Sequence, residues 1–162
     1  MQIMRACVLT VFLGVSGMAL NRGAQAQDSG PYKKTADAHR DIDSTLALAQ
    51  VDHKLVLLEF GGNWCLDCHA LHRLDADPAV APYLEAHFHV VTIDVGDWDR
   101  NLDVNQEYGD PIDGGVPAVV VITAARQVVA TTRNGALENA RNASSAVILK
   151  YLKYWVAHTP AS

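Results

Sequence analysis

The chain has 162 residues, 49% of them hydrophobic and 19% charged, with a formal net charge of −5 at pH 7. That balance is globular, and its acidity argues against nucleic acid as a partner. Three cysteines are too few for a disulfide scaffold. At the N-terminus, Met1 to Arg5 form a short positive region and Ala6 to Leu20 an apolar run. Ala24-Gln25-Ala26 then follows as a small-x-small cleavage signal. The run has 15 residues, short of the about 20 that a membrane span needs. Residues 1–26 therefore read as a cleaved signal peptide, and 27–162 as a single domain with no stable membrane span after cleavage. Cleavage removes Arg5, Arg22 and Cys7 but none of the 18 acidic residues, which takes the net charge to −7 and leaves only Cys65 and Cys68. The location implied is periplasmic or secreted.

Gln27 to Lys34 is polar, contains Gly30-Pro31, and reads as a loose leader. From Ala36 to Val51, Ile42, Leu46, Leu48 and Ala49 supply an apolar face, and Asp37, Asp41 and Asp43 lie early, which predicts an amphipathic helix. Leu55 to Phe60 has strand character. Gly61-Gly62 breaks that strand, and Cys65-x-x-Cys68 opens a helix running to about Leu74.

This order puts the first cysteine at the exposed start of a helix. There the unpaired amides and the helix dipole favour negative charge and lower a thiol's pKa. As the only cysteines of the cleaved chain, the pair must serve as a redox switch, a metal clip or a haem attachment. His69 completes Cys-x-x-Cys-His, the c-type haem pattern. Cys65, Cys68, His69 and His72 have the helical spacing to offer Cu(I) or Zn two thiolates and an imidazole.

Asp77-Pro78 reads as an N-cap and first-turn proline for a short helix over Ala79–His87. Phe88 to Val95 is a second strand, with His87 and His89 at its edge or on the surface. Gly96 to Tyr108 is an acidic loop with a helical turn. Val116-Pro117 introduces the apolar strand Ala118–Ile122, the one end of a central strand where proline is tolerated. Gln127 to Thr131 is its hairpin partner. A final helix runs from after Gly135 to about Val156, with Ala146, Leu149, Leu152, Lys153 and Val156 marking its inner face and edge. Helices alternating with strands, closed by a hairpin and a helix, give an α/β fold with a mixed sheet.

From Lys54 to Val156 the chain resembles the thioredoxin-fold family. Trp64-Cys65-x-x-Cys68 carries the family's tryptophan, and Glu59, six residues before Cys65, stands where the family has a buried acid. Gly115-Val116-Pro117 is similar to its cis-proline loop, and Asn134-Gly135-Ala136-Leu137 to the link into its last helix. Asp77-Pro78-x-Val80, followed by a strand ending at Asp94, resembles the reductase-type domains of exported thiol:disulfide interchange proteins. Three departures stand out. Arg73 replaces the family's helix proline, Leu66-Asp67 replaces the usual motif interior, and the stretch from Asp94 to Pro117 is longer than in a minimal thioredoxin.

The resemblance implies a three-layer α/β/α fold with a central mixed sheet. Its function would be disulfide exchange, in the reducing direction, in partner proteins. Cys65 is then the attacking thiol and Cys68 the resolving one, with Cys65–Cys68 as the redox-active disulfide and no cofactor or bound metal. Glu59, buried beneath the sulfurs, would relay the Cys68 proton through water. Pro117, cis, would present the Val116 backbone to an extended substrate beside Trp64. Asp67 would tune the pair, because its charge near Cys65 disfavours the thiolate. The implied partners are disulfide-containing proteins and an upstream thiol donor, met by a monomer. A Cu or Zn chaperone, or a redox-inert binding module, on the same fold is the alternative.

Overall fold

The computed structural model describes residues 30–160, so the proposed signal peptide lies outside the described residues. Four strands form one sheet: β1 (Leu55–Gly61), β2 (Phe88–Asp94), β3 (Ala118–Ile122) and β4 (Val128–Thr131), in the order β2-β1-β3-β4. β1 runs parallel to β2 and antiparallel to β3, and β3 is antiparallel to β4. The sheet is mixed, as the alternation of elements implied. β1 and β3 are central and covered on both faces, which is why their sequences are continuous apolar runs. The outer strands β2 and β4 leave Val90 and Val128 exposed.

Five helices cover the two faces. Against one face, Ile42, Leu46 and Ala49 of α1 (Ala38–Asp52) pack on Val56, Leu58, Phe60, Val120 and Ile122. α4 (Leu102–Glu107) and a 3₁₀ turn over Pro111–Gly114 join that side through Val104 and Ile112. On the other face, α2 (Leu66–Asp75), α3 (Ala81–His87) and α5 (Ser145–Ala157) pack on Leu57, Val119 and Val121. These are the three layers of a thioredoxin-like fold. Arg73 leaves α2 unbroken to Asp75. Among the described residues no helix is long and apolar enough to cross a membrane.

Several local expectations are corrected. The Asp77-Pro78 pair forms a turn rather than the helix start: Asp77 Oδ1 accepts the Ala79 N–H, and α3 begins at Ala81. The last helix begins ten residues after Gly135, because Gly135 (φ 76°) and a 3₁₀ turn over Ala140–Asn142 occupy the link. Its buried face is Ile148, Leu152 and Trp155, one helical stripe, while Ala146 and Lys153 are exposed. In α1, Leu48 is likewise exposed and Ala38 is buried in its stead. Over its described residues, 30–34, the leader is not loose. Tyr32 is fully buried, and its backbone is held on both sides by Asn63: the Tyr32 N–H donates to Asn63 Oδ1 at 3.1 Å, and Asn63 Nδ2 donates to the Tyr32 carbonyl at 2.6 Å.

Candidate active site

The end of β1 delivers the chain to the start of α2, and the two cysteines sit at that junction. Cys65 is the N-cap of α2, with extended backbone, and its Sγ accepts the Cys68 N–H at 3.1 Å. The first-turn amides and the helix dipole thus meet at this sulfur. Cys65 and Cys68 are joined by a disulfide, with Cα atoms 5.2 Å apart. Cys65 is less open than a helix start suggests. It is only 6% exposed, and the Val116 carbonyl oxygen lies 3.5 Å from its Sγ. Cys68, one turn deeper, is fully enclosed.

Cys65 reaches solvent through a shallow groove of about 390 Å³. Trp64, Leu66, Trp98, Val116 and Glu138 are among its lining residues. The Val116–Pro117 peptide is cis, which sets the Val116 backbone along this groove. Trp64 is about half exposed, donates its indole N–H to the Gly96 carbonyl at 2.6 Å, and lies 5.6 Å from the Trp98 ring. Trp98 has φ 66°, a left-handed conformation uncommon for a bulky residue. The longer stretch after Asp94 therefore supplies a second aromatic wall that the motifs did not reveal.

Glu59 is 1% exposed, with Thr92 of β2 and Val119 of β3 as its strand partners, and it stands two residues before Gly61, where an added Cβ would lie 2.8 Å from Cys68 Sγ. Tyr32 donates its hydroxyl to Glu59 Oε1 at 2.8 Å, and Oε2 has no hydrogen-bond partner among the described residues. Burial pushes the Glu59 carboxyl up to about 8; the charge of Asp75 adds to this, and the Tyr32 bond opposes it. Asp75, at the end of α2, is itself raised to about 7 by burial. The Tyr32 phenol is raised too, by burial first and then by the charge of Glu59. Carboxyls so perturbed by burial are candidates for proton transfer.

Asp67 does not stand as a free charge between the cysteines. Its carboxylate accepts the Arg141 N–H at 2.9 Å and the Arg141 Nε at 3.1 Å. Partial burial works to raise its pKa, but the Arg141 bonds outweigh this and hold it below the usual carboxylate range. His69 turns its ring to the Asn63 carbonyl, 2.8 Å from Nε2, and His72 is exposed. His89 pairs with Asp52 at 2.9 Å on the surface. Among the described residues no three His, Cys, Asp or Glu side chains are grouped to hold a metal ion.

Tyr32, Asp75, Trp98 and Arg141 are the site residues that sequence reasoning missed. Only Asp75 left a readable signal: with Cys68 and Leu71 it falls on one face of a 3.6-residue helix.

A thioredoxin-like family model matches residues 37–124. Among solved structures, the chain is similar to a disulphide isomerase from Xylella fastidiosa Temecula1. Identity is 43% over 78% of this chain and 96% of that one, with a TM-score of 0.75. It is also similar to the oxidoreductase DsbH, at 18% identity over 89% of this chain and 96% of that one, with a TM-score of 0.53. A third similarity is to the C-terminal domain of Neisseria meningitidis DsbD in its oxidised form. There identity is 18% over 76% of this chain and 97% of that one, with a TM-score of 0.50. At 18% identity the last two speak for the fold alone. No curated protein matches the chain.

Proposed function

The chain belongs to the thioredoxin-like family, and we propose that it works as an exported thiol:disulfide oxidoreductase that reduces or exchanges disulfides in partner proteins. The observation that carries this reading is the position of Cys65: its sulfur caps α2, receives the Cys68 N–H, and edges the groove beside Val116. A sulfur so placed is stabilised as a thiolate, the nucleophilic form.

In the reduced protein the Cys65 thiolate attacks one sulfur of a partner disulfide. That S–S bond breaks, the other partner sulfur leaves as a thiolate and takes a proton from water, and a mixed disulfide forms. Cys68 then gives up its proton to Glu59, and its sulfur attacks Cys65 Sγ. The mixed disulfide breaks, the second partner sulfur leaves and is protonated, and the Cys65–Cys68 disulfide is restored. Two electrons pass to the partner, and an upstream thiol donor must return them. Trp64 and the Val116 backbone, beside Pro117, hold an extended partner segment in the groove. Asp67 tunes Cys65 less than a free carboxylate would, because Arg141 already counters its charge.

Export rests on residues 1–26 as a cleaved signal peptide, which leaves 27–162 as the working domain in the periplasm or outside the cell. Reduction of insulin disulfides by this domain, with dithiothreitol as donor, tests the activity. Turnover well above the dithiothreitol background is expected. Background-level turnover by folded protein points instead to a Cu or Zn chaperone or a redox-inert binding module.

A further inference from the structure

Tyr32 lies outside every motif that marks the site, yet the fold makes costly provision for it. Its ring is 0% exposed, although it comes from a polar stretch of chain. Two contacts besides the two Asn63 bonds pin that stretch near the site. Thr92 Oγ1 donates to the Pro31 carbonyl at 2.9 Å, Arg100 Nη1 to the Lys34 carbonyl at 2.8 Å, and Asn63 itself is two residues from Cys65. Gly61 makes the room. A Cβ there would come within 2.5 Å of the Tyr32 hydroxyl and 2.8 Å of Cys68 Sγ, so any side chain would collide with both. The hydroxyl and the resolving sulfur are therefore neighbours across a glycine. Glu59 stands two residues back on the same face of β1. A buried hydroxyl without a partner is costly, and the partner found here is Glu59 Oε1.

We propose that Tyr32 is a positioning residue for the resolving step: its hydroxyl holds Glu59 by Oε1 beside Cys68, so that Oε2 is the oxygen that takes the Cys68 proton. The proton moves from Cys68 Sγ to Oε2, and the freed electron pair on sulfur forms the bond to Cys65 Sγ. The proton on Oε2 is then given up to the departing partner thiolate. Oε1 already accepts a hydrogen bond from the Tyr32 hydroxyl, and Oε2 is the carboxyl oxygen without a partner among the described residues. Because the phenol donates to the carboxylate, it also favours the ionised form of Glu59, which is the form that works as a base. The other groups facing this pair are Asp75 from α2, whose charge opposes ionisation, and Asp94 at the end of β2, whose charge acts on the phenol and lies 3.9 Å from Arg100 Nη1.

The inference takes Cys68 as the resolving thiol, as in the proposed function, but its test needs no substrate. Carbon-13 NMR of the reduced protein, with Glu and Cys labelled, gives the titration midpoints of the Glu59 carboxyl and the Cys68 thiol directly. Tyr32→Phe keeps the buried ring and removes the hydroxyl. Its Glu59 midpoint is expected to rise by about one pH unit, the scale of a hydrogen bond to a charged group, and the Cys68 midpoint is expected to move with it. In a Glu59→Gln background the same substitution should leave Cys68 unmoved. If Tyr32→Phe does not fold, fluorotyrosine at position 32, a stronger donor, is expected to lower the Glu59 midpoint instead. Midpoints that stay put in either folded variant overturn the proposal. So does a Cys68 shift that persists with Glu59→Gln. Failure of wild-type protein to reduce insulin would count against the proposed function alone.

Discussion

Cys68→Ser is expected to stall exchange at the mixed disulfide, so that partner proteins accumulate covalently attached to Cys65. Cys65→Ser is expected to abolish exchange, by ~10³-fold or more, the scale of losing a nucleophile. The asymmetry follows from placement. Cys65 borders the groove and caps α2, whereas Cys68 is fully enclosed and bonded to Cys65. A thiol that no partner can touch cannot begin the reaction, but it is well placed to end it. Non-reducing gels with mass spectrometry of the trapped species read both outcomes. Equal trapping by the two variants would contradict the assigned order.

Glu59→Gln is expected to stabilise the fold while slowing the resolving step. The carboxyl ionises near its ordinary value of 4.5 in the unfolded chain, whereas burial, helped by the Asp75 charge, raises it to about 8 in the fold. Between those values the unfolded state sheds the proton and the native state keeps it, so stability falls as pH rises from about 4.5 through about 8. Glutamine carries no such penalty and can still accept the Tyr32 hydroxyl. The variant should therefore match wild type below pH 4 and exceed it by ~2–4 kcal/mol at pH 8. Chemical denaturation of the oxidised protein at both pH values measures this. Loss of the base should slow release of the mixed disulfide ~10–100-fold near pH 8. It should also remove the rise in rate expected of wild type as Glu59 ionises, which stopped-flow kinetics from pH 6 to 10 would follow. A wild-type-like pH profile in Glu59→Gln would take Glu59 out of the mechanism.

What was legible in the sequence is what local pattern controls. The β1 run, the Gly61-Gly62 break and the helix start at Cys65 follow from residue type and spacing, as do the two central strands. Glu59 was readable as a buried acid through the family resemblance, which implies an acid six residues before Cys65 on an otherwise apolar strand. The partners of these groups were not readable, because they come from far along the chain. Tyr32 meets Glu59 across 27 residues, and Arg141 meets Asp67 across 74. Neither contact leaves a periodic trace; one aromatic in a polar leader and one arginine in a turn are ordinary surface choices. The stripe of α5 was misread for a related reason. Apolar residues lie around much of that helix, so packing on Leu57, Val119 and Val121 decides which of them point inward. The sharp expectation for Asp67 weakened once Arg141 was seen to share its charge.

The direction of electron flow is the centre of the functional reading, and redox equilibration of the Cys65–Cys68 pair against glutathione measures it most directly. Strong oxidants reach about −120 mV by stabilising the reduced thiolate, whereas thioredoxin lies near −270 mV. Here the amides at the start of α2 favour the Cys65 thiolate, whereas Glu59, bonded to the Tyr32 hydroxyl beside Cys68, adds a negative charge near the pair as it ionises. A potential closer to about −270 mV than to −120 mV is the expected result. A value near about −120 mV would mark an oxidant and contradict the assignment as a reductase.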